Sequence, residues 1–330
     1  MTILITGAGG FLGGAIARLL RNRGYAVRGY SRGEHPHLKA LGVEQHRGSL
    51  TDAQTLKLAA TGCDAVIHTA AKAGVWGPYK DYWRANVLGT RNVLEVCQSL
   101  KIGKLIYTSS PSVTFDGTDQ EGVSESTPYP ARFLAHYPAT KAEAERLVLA
   151  ANALTLATVA LRPHLIWGPG DTQLVPRILE RARAGKLRLV ETSGKLVDSV
   201  YIGNAAAAHV LALEKLASGA PCAGKAYFIT NGEPQPLSAL VNGILGAAGL
   251  PQVLKKISPT LAYASGCALE FIWKTTRRSG EPPLTRFVAR QLATAHWFDI
   301  SAARRDLGYE PKIKITEGLQ RLAESLRSLK

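Results

Sequence analysis

Tyr137 and Lys141 stand four residues apart in Tyr137-Pro138-Ala139-Thr140-Lys141, a spacing that puts a phenol and an ammonium on one face of a helix. Pro138 suits the first helical turn. A phenol of ordinary pKa, about 10, is a poor acid–base group at neutral pH, and a neighbouring ammonium favours the phenolate and brings that value down. Such a pair is suited to exchanging a proton with an alcohol oxygen. A cluster of hydroxyls, Thr108-Ser109-Ser110-Pro111-Ser112, ends the strand-like run Lys104–Ser109. Successive strand residues face opposite ways, so only some of these hydroxyls share one site. Ser110, with Ser112 in reserve, is the candidate donor to a substrate oxygen, and backbone capping is expected of at least one of these serines.

A second constellation lies at the start of the chain. Gly7, Gly10 and Gly13 in Gly7-Ala8-Gly9-Gly10-Phe11-Leu12-Gly13 sit between the β-rich run Thr2–Thr6 and an amphipathic stretch, Leu12–Arg23, closed by Gly24. Glycines so placed permit a tight turn, let the backbone approach a pyrophosphate and bring helix close to strand, while the helix N-terminus offers free N–H groups. The second strand ends Tyr30-Ser31-Arg32, where an NAD-binding protein usually carries an acid for the ribose 2′-hydroxyl. Arg32 offers instead a fork suited to a 2′-phosphate, so NADP(H) is expected over NAD(H). Glu34 is the acid that a shifted turn would bring to the ribose.

Further strand-like runs, Ala26–Ser31, Val43–Arg47, Ala65–His68 and Thr155–Leu161, alternate with helical stretches. This rhythm implies an α/β fold, a doubly wound parallel sheet of the Rossmann type. After Pro163, Gly168-Pro169-Gly170 breaks the chain before a helix, Val175–Ala184. Strands are expected at Val197–Ile202 and Ala226–Thr230, and helices from Leu237, Pro259 and Thr316. The chain thus divides into a nucleotide-binding domain, residues 1–165 and 197–230, and a smaller, mostly helical substrate lobe, residues 166–196 and 231–330, over the sheet's C-terminal edge.

Hydrophobic residues make up 46% of the 330 and charged residues 20%, which excludes disordered and collagenous classes. Forty Lys+Arg against 25 Asp+Glu leave a net charge of +15, a field that attracts anions. From Lys274 to Arg305 seven cations meet two acids, Glu281 and Asp299. No zinc-finger spacing or aromatic RNA-binding motif accompanies them, so nucleic acid is not expected as a partner. The four scattered cysteines fit reduced thiols in the cytoplasm. His35 and His37 flank a proline in a loop with no second ligand cluster, and no metal is expected. No apolar run reaches the ~18 residues of a membrane span, and the apolar N-terminus is already a strand rather than a signal peptide.

Six segments give the chain a family resemblance: Thr6-Gly-x-x-Gly-x-x-Gly13, His68-Thr-Ala-Ala71, Asn86-Val-Leu-Gly-Thr90, Tyr107-Thr-Ser-Ser110, Tyr137-x-x-x-Lys141 and Leu161-Arg-Pro163. In them it resembles the extended short-chain dehydrogenases/reductases. It is similar in particular to the 3β-hydroxysteroid dehydrogenase-like branch and its reductases of long-chain olefin biosynthesis. That likeness adds Ala70-Ala-Lys-Ala-Gly-Val-Trp-Gly77, Leu165–Asp171, Gly224–Pro234 and Gly280–Phe287.

The resemblance implies reversible hydride transfer between a nicotinamide and C3 of a long-chain 2-alkyl-3-oxo or 3-hydroxy acid. Ser110 would polarise the carbonyl and Tyr137 exchange the proton, while Lys141 binds the nicotinamide ribose and Asn86 supports a water relay. Around NADP(H) the resemblance places Gly7, Gly10, Phe11, Leu12 and Gly13 of the turn, with Ser31 and Arg32 after the second strand. Ser49 and Leu50 follow the third strand, Ala70 and Ala71 the fourth, and Pro163, Tyr137 and Lys141 complete the set. Lys72 is the cation for a substrate carboxylate. Trp76, Trp83, Trp167 and Leu261–Trp273 are candidates to line an alkyl slot. Two positions depart from the family: Ser49 replaces an adenine-contacting acid, and Gly203 stands where Tyr-Ile-Asp-Asn is expected over Tyr201–Asn204. A complex with the thiolase-like and ligase-like enzymes of the olefin pathway and a homodimer are also implied. The competing readings are a 3β-hydroxysteroid or sterol dehydrogenase, a nucleotide-sugar epimerase or dehydratase, and a catalytically silent NADP sensor.

Overall fold

A computed structural model of the chain describes residues 1–192 and 194–328. Its centre is a seven-stranded parallel sheet. From one edge to the other run Lys225–Ile229, Ala157–Pro163, Lys104–Thr108, Ala65–His68, Thr2–Thr6, Ala26–Ser31 and Glu44–Arg47. The inner strands read as continuous apolar runs, Ile3-Leu4-Ile5 and Ala65-Val66-Ile67, because both of their faces are buried. The chain winds outward from Thr2–Thr6 in one direction, then returns to build outward from Ala65–His68 in the other. That reversal opens a crevice at the C-terminal ends of these two strands, the place where doubly wound sheets bind nucleotides.

Helices cover both faces. Phe11–Asn22 and Ile202–Lys215 pack on one side with Ile16, Leu20, Val210 and Leu213 in their contact. Ala53–Ala60, Gly89–Ser99 and His136–Ala150 cover the other, around Leu56, Val93, Cys97 and Val148. A third core lies around Trp167, Leu179, Ile244 and Leu322, with Tyr201 and Ile202 among its members and Phe11 and Leu12 packed against it.

Three elements differ from the sequence expectation. The strand expected at Thr155–Leu161 runs from Ala157 to Pro163, because Ala153 and Leu156 first close a tight turn. The strand expected at Val197–Ile202 is two short ones, Leu196–Val197 and Val200–Tyr201. The helix Ile202–Lys215 then follows. Ala205, Ala206, Ala208, Val210 and Ala212 are all buried in it, so it lacks the polar stripe by which a surface helix is recognised. Residues 120–123 leave the large domain to pair with His296–Phe298 in a small four-stranded sheet, and Ser301–Leu307 packs back on Ile202–Lys215. Near Gly203, Asn231 accepts from the Tyr201 N–H at 3.0 Å and from the Asn204 amide at 2.9 Å, and Asn204 also donates to the Ile313 carbonyl. These amides tie the helix start to the neighbouring loops.

The helix bearing Tyr137 and Lys141 is fastened to the sheet by a buried ion pair. Arg162, on Ala157–Pro163, reaches both carboxylate oxygens of Glu145 at 2.6–3.2 Å, and the Tyr129 hydroxyl donates to Glu145 Oε1 at 2.7 Å. Removing one charge strands the other away from water. Glu145→Gln is expected to destabilise the fold by about 3–5 kcal/mol, read as a fall in the urea midpoint, and adding Arg162→Met should restore part of the loss.

Candidate active site

Gly7 follows Thr6 with a φ of +72°, and its N–H donates to the Tyr30 carbonyl at 2.8 Å. A side chain is sterically excluded here twice over. A Cβ at Gly7 would sit 2.9 Å from the Ala70 backbone, and one at Gly13 would sit 2.3 Å from the Gly7 carbonyl oxygen. The helix at Phe11 begins on Gly10 with no side-chain cap and no acid in its first turn, which leaves its N-terminal N–H groups and positive dipole end facing the crevice. The residues present therefore fit a dinucleotide pyrophosphate. Phe11 and Leu12 are half-buried in this first turn, and Ala70 and Ala71 form the opposite wall after His68.

Arg32 is exposed at the end of Ala26–Ser31, and so is Glu34. Ser31 turns its hydroxyl onto the Gly33 carbonyl at 2.9 Å. His35 is a neighbour that spacing did not reveal. Gln45 clasps its backbone N–H and carbonyl, and its imidazole fills the space a side chain at Gly9 would need, 1.9 Å from that Cβ position. After the strand Glu44–Arg47, Ser49 is exposed and bonded to Thr51, and the Leu50 carbonyl is taken by Asn92 at 2.7 Å. Pro163 is buried at the end of its strand, paired with Ile229.

The catalytic candidates meet at the end of Lys104–Thr108. Lys141 is buried, donates to the Thr108 carbonyl at 2.5 Å and lies 4.1 Å from the centre of the Tyr107 ring. Burial brings its pKa down to about 7, with Glu145 opposing. Burial pushes the Tyr137 phenol above its usual value, and the Ser110 hydroxyl counters it. The expected lowering by Lys141 is not present in this state: i, i+4 spacing sets a shared face, not a contact, and the ammonium is engaged by Thr108 and Tyr107. Ser110 accepts from the Ser112 N–H at 3.2 Å and meets the Ser112 hydroxyl at 2.9 Å. Either hydroxyl of the Ser110–Ser112 pair can be the donor; when Ser112 donates, the Ser110 proton is available to a substrate oxygen. Ser109 is buried with no partner for its hydroxyl.

Asn86 lies in a π-helical turn, Trp83–Leu88, a distortion frequent at functional sites. Its Oδ1 accepts from the Lys72 N–H at 2.7 Å, and its Nδ2 donates to the Lys72 carbonyl and to Thr140 Oγ1. Both amide protons are thus engaged by protein. Asn86 thereby holds the Lys72 loop to the helix that carries Tyr137 and Lys141. His68, also missed, bridges Thr6 at 2.6 Å and Thr90 at 3.1 Å, and burial keeps it neutral with a pKa of about 3.

Lys72 and Trp76 are half-buried in the loop after Ala65–His68, with Lys72 Nζ 5.2 Å from the Tyr82 ring centre. Glu281, 206 residues away in sequence, latches this loop. It accepts from the Val75 N–H at 2.9 Å, pairs with Arg177 at 3.2 Å and occupies the space left by Gly74. Trp167 does not line a slot: it is 0% exposed, donates to Ser199 and packs edge-on to Tyr201 in the lobe core. Trp83 is half-buried beneath Arg91. Leu261, Phe271 and Ile272 face outward rather than into the crevice.

Fold and site together define a nicotinamide-dependent oxidoreductase acting on CH–OH groups. The chain belongs to the 3-beta hydroxysteroid dehydrogenase/isomerase family, which its residues 4–257 match. It is 55% identical to a 2-alkyl-3-oxoalkanoate reductase of Stenotrophomonas maltophilia over 98% of this chain and 99% of that protein. Identity falls to 33% against the human sterol-4-alpha-carboxylate 3-dehydrogenase, decarboxylating, over 99% and 88% of the two chains. Among solved structures it is similar to MoeE5 in complex with UDP-glucose and NAD, with a TM-score of 0.76 and 26% identity over both whole chains.

The depressed Lys141 pKa has a measurable sign. Below about pH 7 the folded protein buries an ammonium that the unfolded chain keeps solvated, and the penalty is relieved as pH rises from 7 toward the unfolded value. Lys141→Met is expected to raise the melting temperature at pH 6 by a few degrees, at ~2–4 °C per kcal/mol. The gain over the wild type should shrink by pH 9, and turnover should be lost.

Proposed function

We propose that the protein reduces long-chain 2-alkyl-3-oxoalkanoic acids to the 3-hydroxy acids, reversibly, with NADPH. The observation that carries this reading is the convergence of Ser110, Tyr137 and Lys141 at one strand end, beside a loop bearing Lys72. The end-to-end likeness to the Stenotrophomonas reductase supports the substrate class. When bound, the nicotinamide supplies the hydride that C3 accepts. Ser110 donates to the ketone oxygen and fixes its position; Tyr137 delivers the proton as that oxygen becomes an alkoxide. The ketone is reduced, the nicotinamide is oxidised, and the phenol regains its proton from solvent. Lys141 would turn toward the nicotinamide ribose and support the phenolate electrostatically. Lys72 would hold the carboxylate, and Asn86 keeps its loop in register with Tyr137.

NADP(H) is the proposed cofactor because Arg32, exposed just after the second strand, offers a fork suited to a 2′-phosphate. The four free cysteines suit the reducing cytoplasm.

Oxidation of a 2-alkyl-3-hydroxy acid with NADP⁺, followed at 340 nm, tests the reading. Tyr137→Phe should lower kcat roughly 100- to 10,000-fold. Turnover of a 3β-hydroxysteroid alone would move the substrate to the sterol class. Arg32→Gln should raise the KM for NADP⁺ about tenfold or more, the loss of one charge-assisted contact, and leave NAD⁺ unaffected.

A further inference from the structure

The helix Pro259–Thr275 carries an apolar face with nothing packed on it. Leu261, Ala264, Ala268, Phe271 and Ile272 recur at i, i+3, i+7, i+10 and i+11, and all are exposed, Phe271 to 68% and Leu261 to 55%. Its opposite face is firmly seated. Gly266 lets the backbone of Thr285 and Arg286 approach to about van der Waals contact, and Glu270 accepts from both the N–H and the Nε of Arg286, at 2.7 and 2.6 Å. The outward face is therefore held outward by the fold.

Charge along this segment is mostly positive. Between residues 251 and 280 stand Lys255, Lys256, Lys274, Arg277 and Arg278, all exposed, against a single acid, the inward Glu270. Lys256 pairs with Glu191, Arg278 lies over the Trp273 ring, and Lys274 and Arg277 extend the cationic flank. An apolar face bordered by Lys and Arg is the composition of a helix that lies in a lipid headgroup layer. No helix among the described residues is long and apolar enough to cross a membrane, so the geometry is one of lying on, not spanning. A second copy of this chain is disfavoured as the occupant, because a self-complementary contact would face these cations with themselves.

We propose that Pro259–Thr275 docks the enzyme on an anionic lipid surface. The chain leaving the helix runs directly to Glu281, whose carboxylate latches Val75 in the loop of Lys72 and Trp76. Docking therefore sets the mouth of the crevice beside the lipid. The inference goes beyond the catalytic assignment and does not depend on which alcohol is oxidised.

Flotation of the full chain with vesicles of phosphatidylcholine, with and without phosphatidylglycerol, is the test. The wild type should float with the anionic vesicles and be released by high salt. Phe271→Asp should weaken that binding roughly tenfold or more. Replacing Lys274, Arg277 and Arg278 by Gln should abolish the preference for phosphatidylglycerol. Unchanged melting temperatures would show that both variants are folded. Failure of the wild type to float, or equal flotation by Phe271→Asp, would overturn the proposal. A dimer in solution that Phe271→Asp splits would give the face to a second copy instead.

Discussion

A buried ammonium dictates how this site is built. Lys141 lies in the interior, where a charge is tolerated only with close compensation. The compensation comes from the Thr108 carbonyl at a strand end, the face of Tyr107 and the carboxylate of Glu145 one turn on. Those contacts fix the catalytic helix against the central sheet, and Arg162 closes the arrangement by holding Glu145. Tyr137 lies one turn before Lys141 on that helix, and Ser110 follows the strand whose Thr108 carbonyl Lys141 contacts.

The opposite wall is set by close packing. The turn Gly7–Gly13 touches the Ala70 backbone and its own Gly7 carbonyl so closely that only hydrogen fits at Gly7 and Gly13. The Thr6–His68–Thr90 chain pins the two strands that bound the crevice, and Asn86 carries that order across to the catalytic helix. Glu281 then ties the loop that carries Lys72 to Arg177 on the helix Leu174–Arg183.

What the sequence disclosed follows the range of the interactions involved. Thr2–Thr6, the glycine turn and the helix after it are readable because their signals are local: β-rich residues, glycine spacing and 3.6-residue periodicity. Tyr137, Lys141 and Ser110 are readable for the same reason. The helix Ile202–Lys215 escaped because an alanine-rich segment buried nearly all round shows no periodicity. Strands of two residues, such as Leu196–Val197, carry too little pattern to register. Trp167 shows that an aromatic residue's type does not say whether it faces a core or a cavity. The Glu281 latch and the His35 ring over Gly9 are made across folded space, and their only local trace is a glycine where the partner arrives.

In the proposed reaction hydride would pass directly between C3 of the substrate and the nicotinamide, and Tyr137 would handle only the proton. This is tested most directly by a single turnover of a 2-alkyl-3-hydroxy acid deuterated at C3, with NADP⁺ in ordinary water. Mass spectrometry should find the deuterium on the reduced nicotinamide, and the step should be slower than with the protiated acid. Deuterium washed into solvent, or retained on the acid while product forms, would rule out direct transfer.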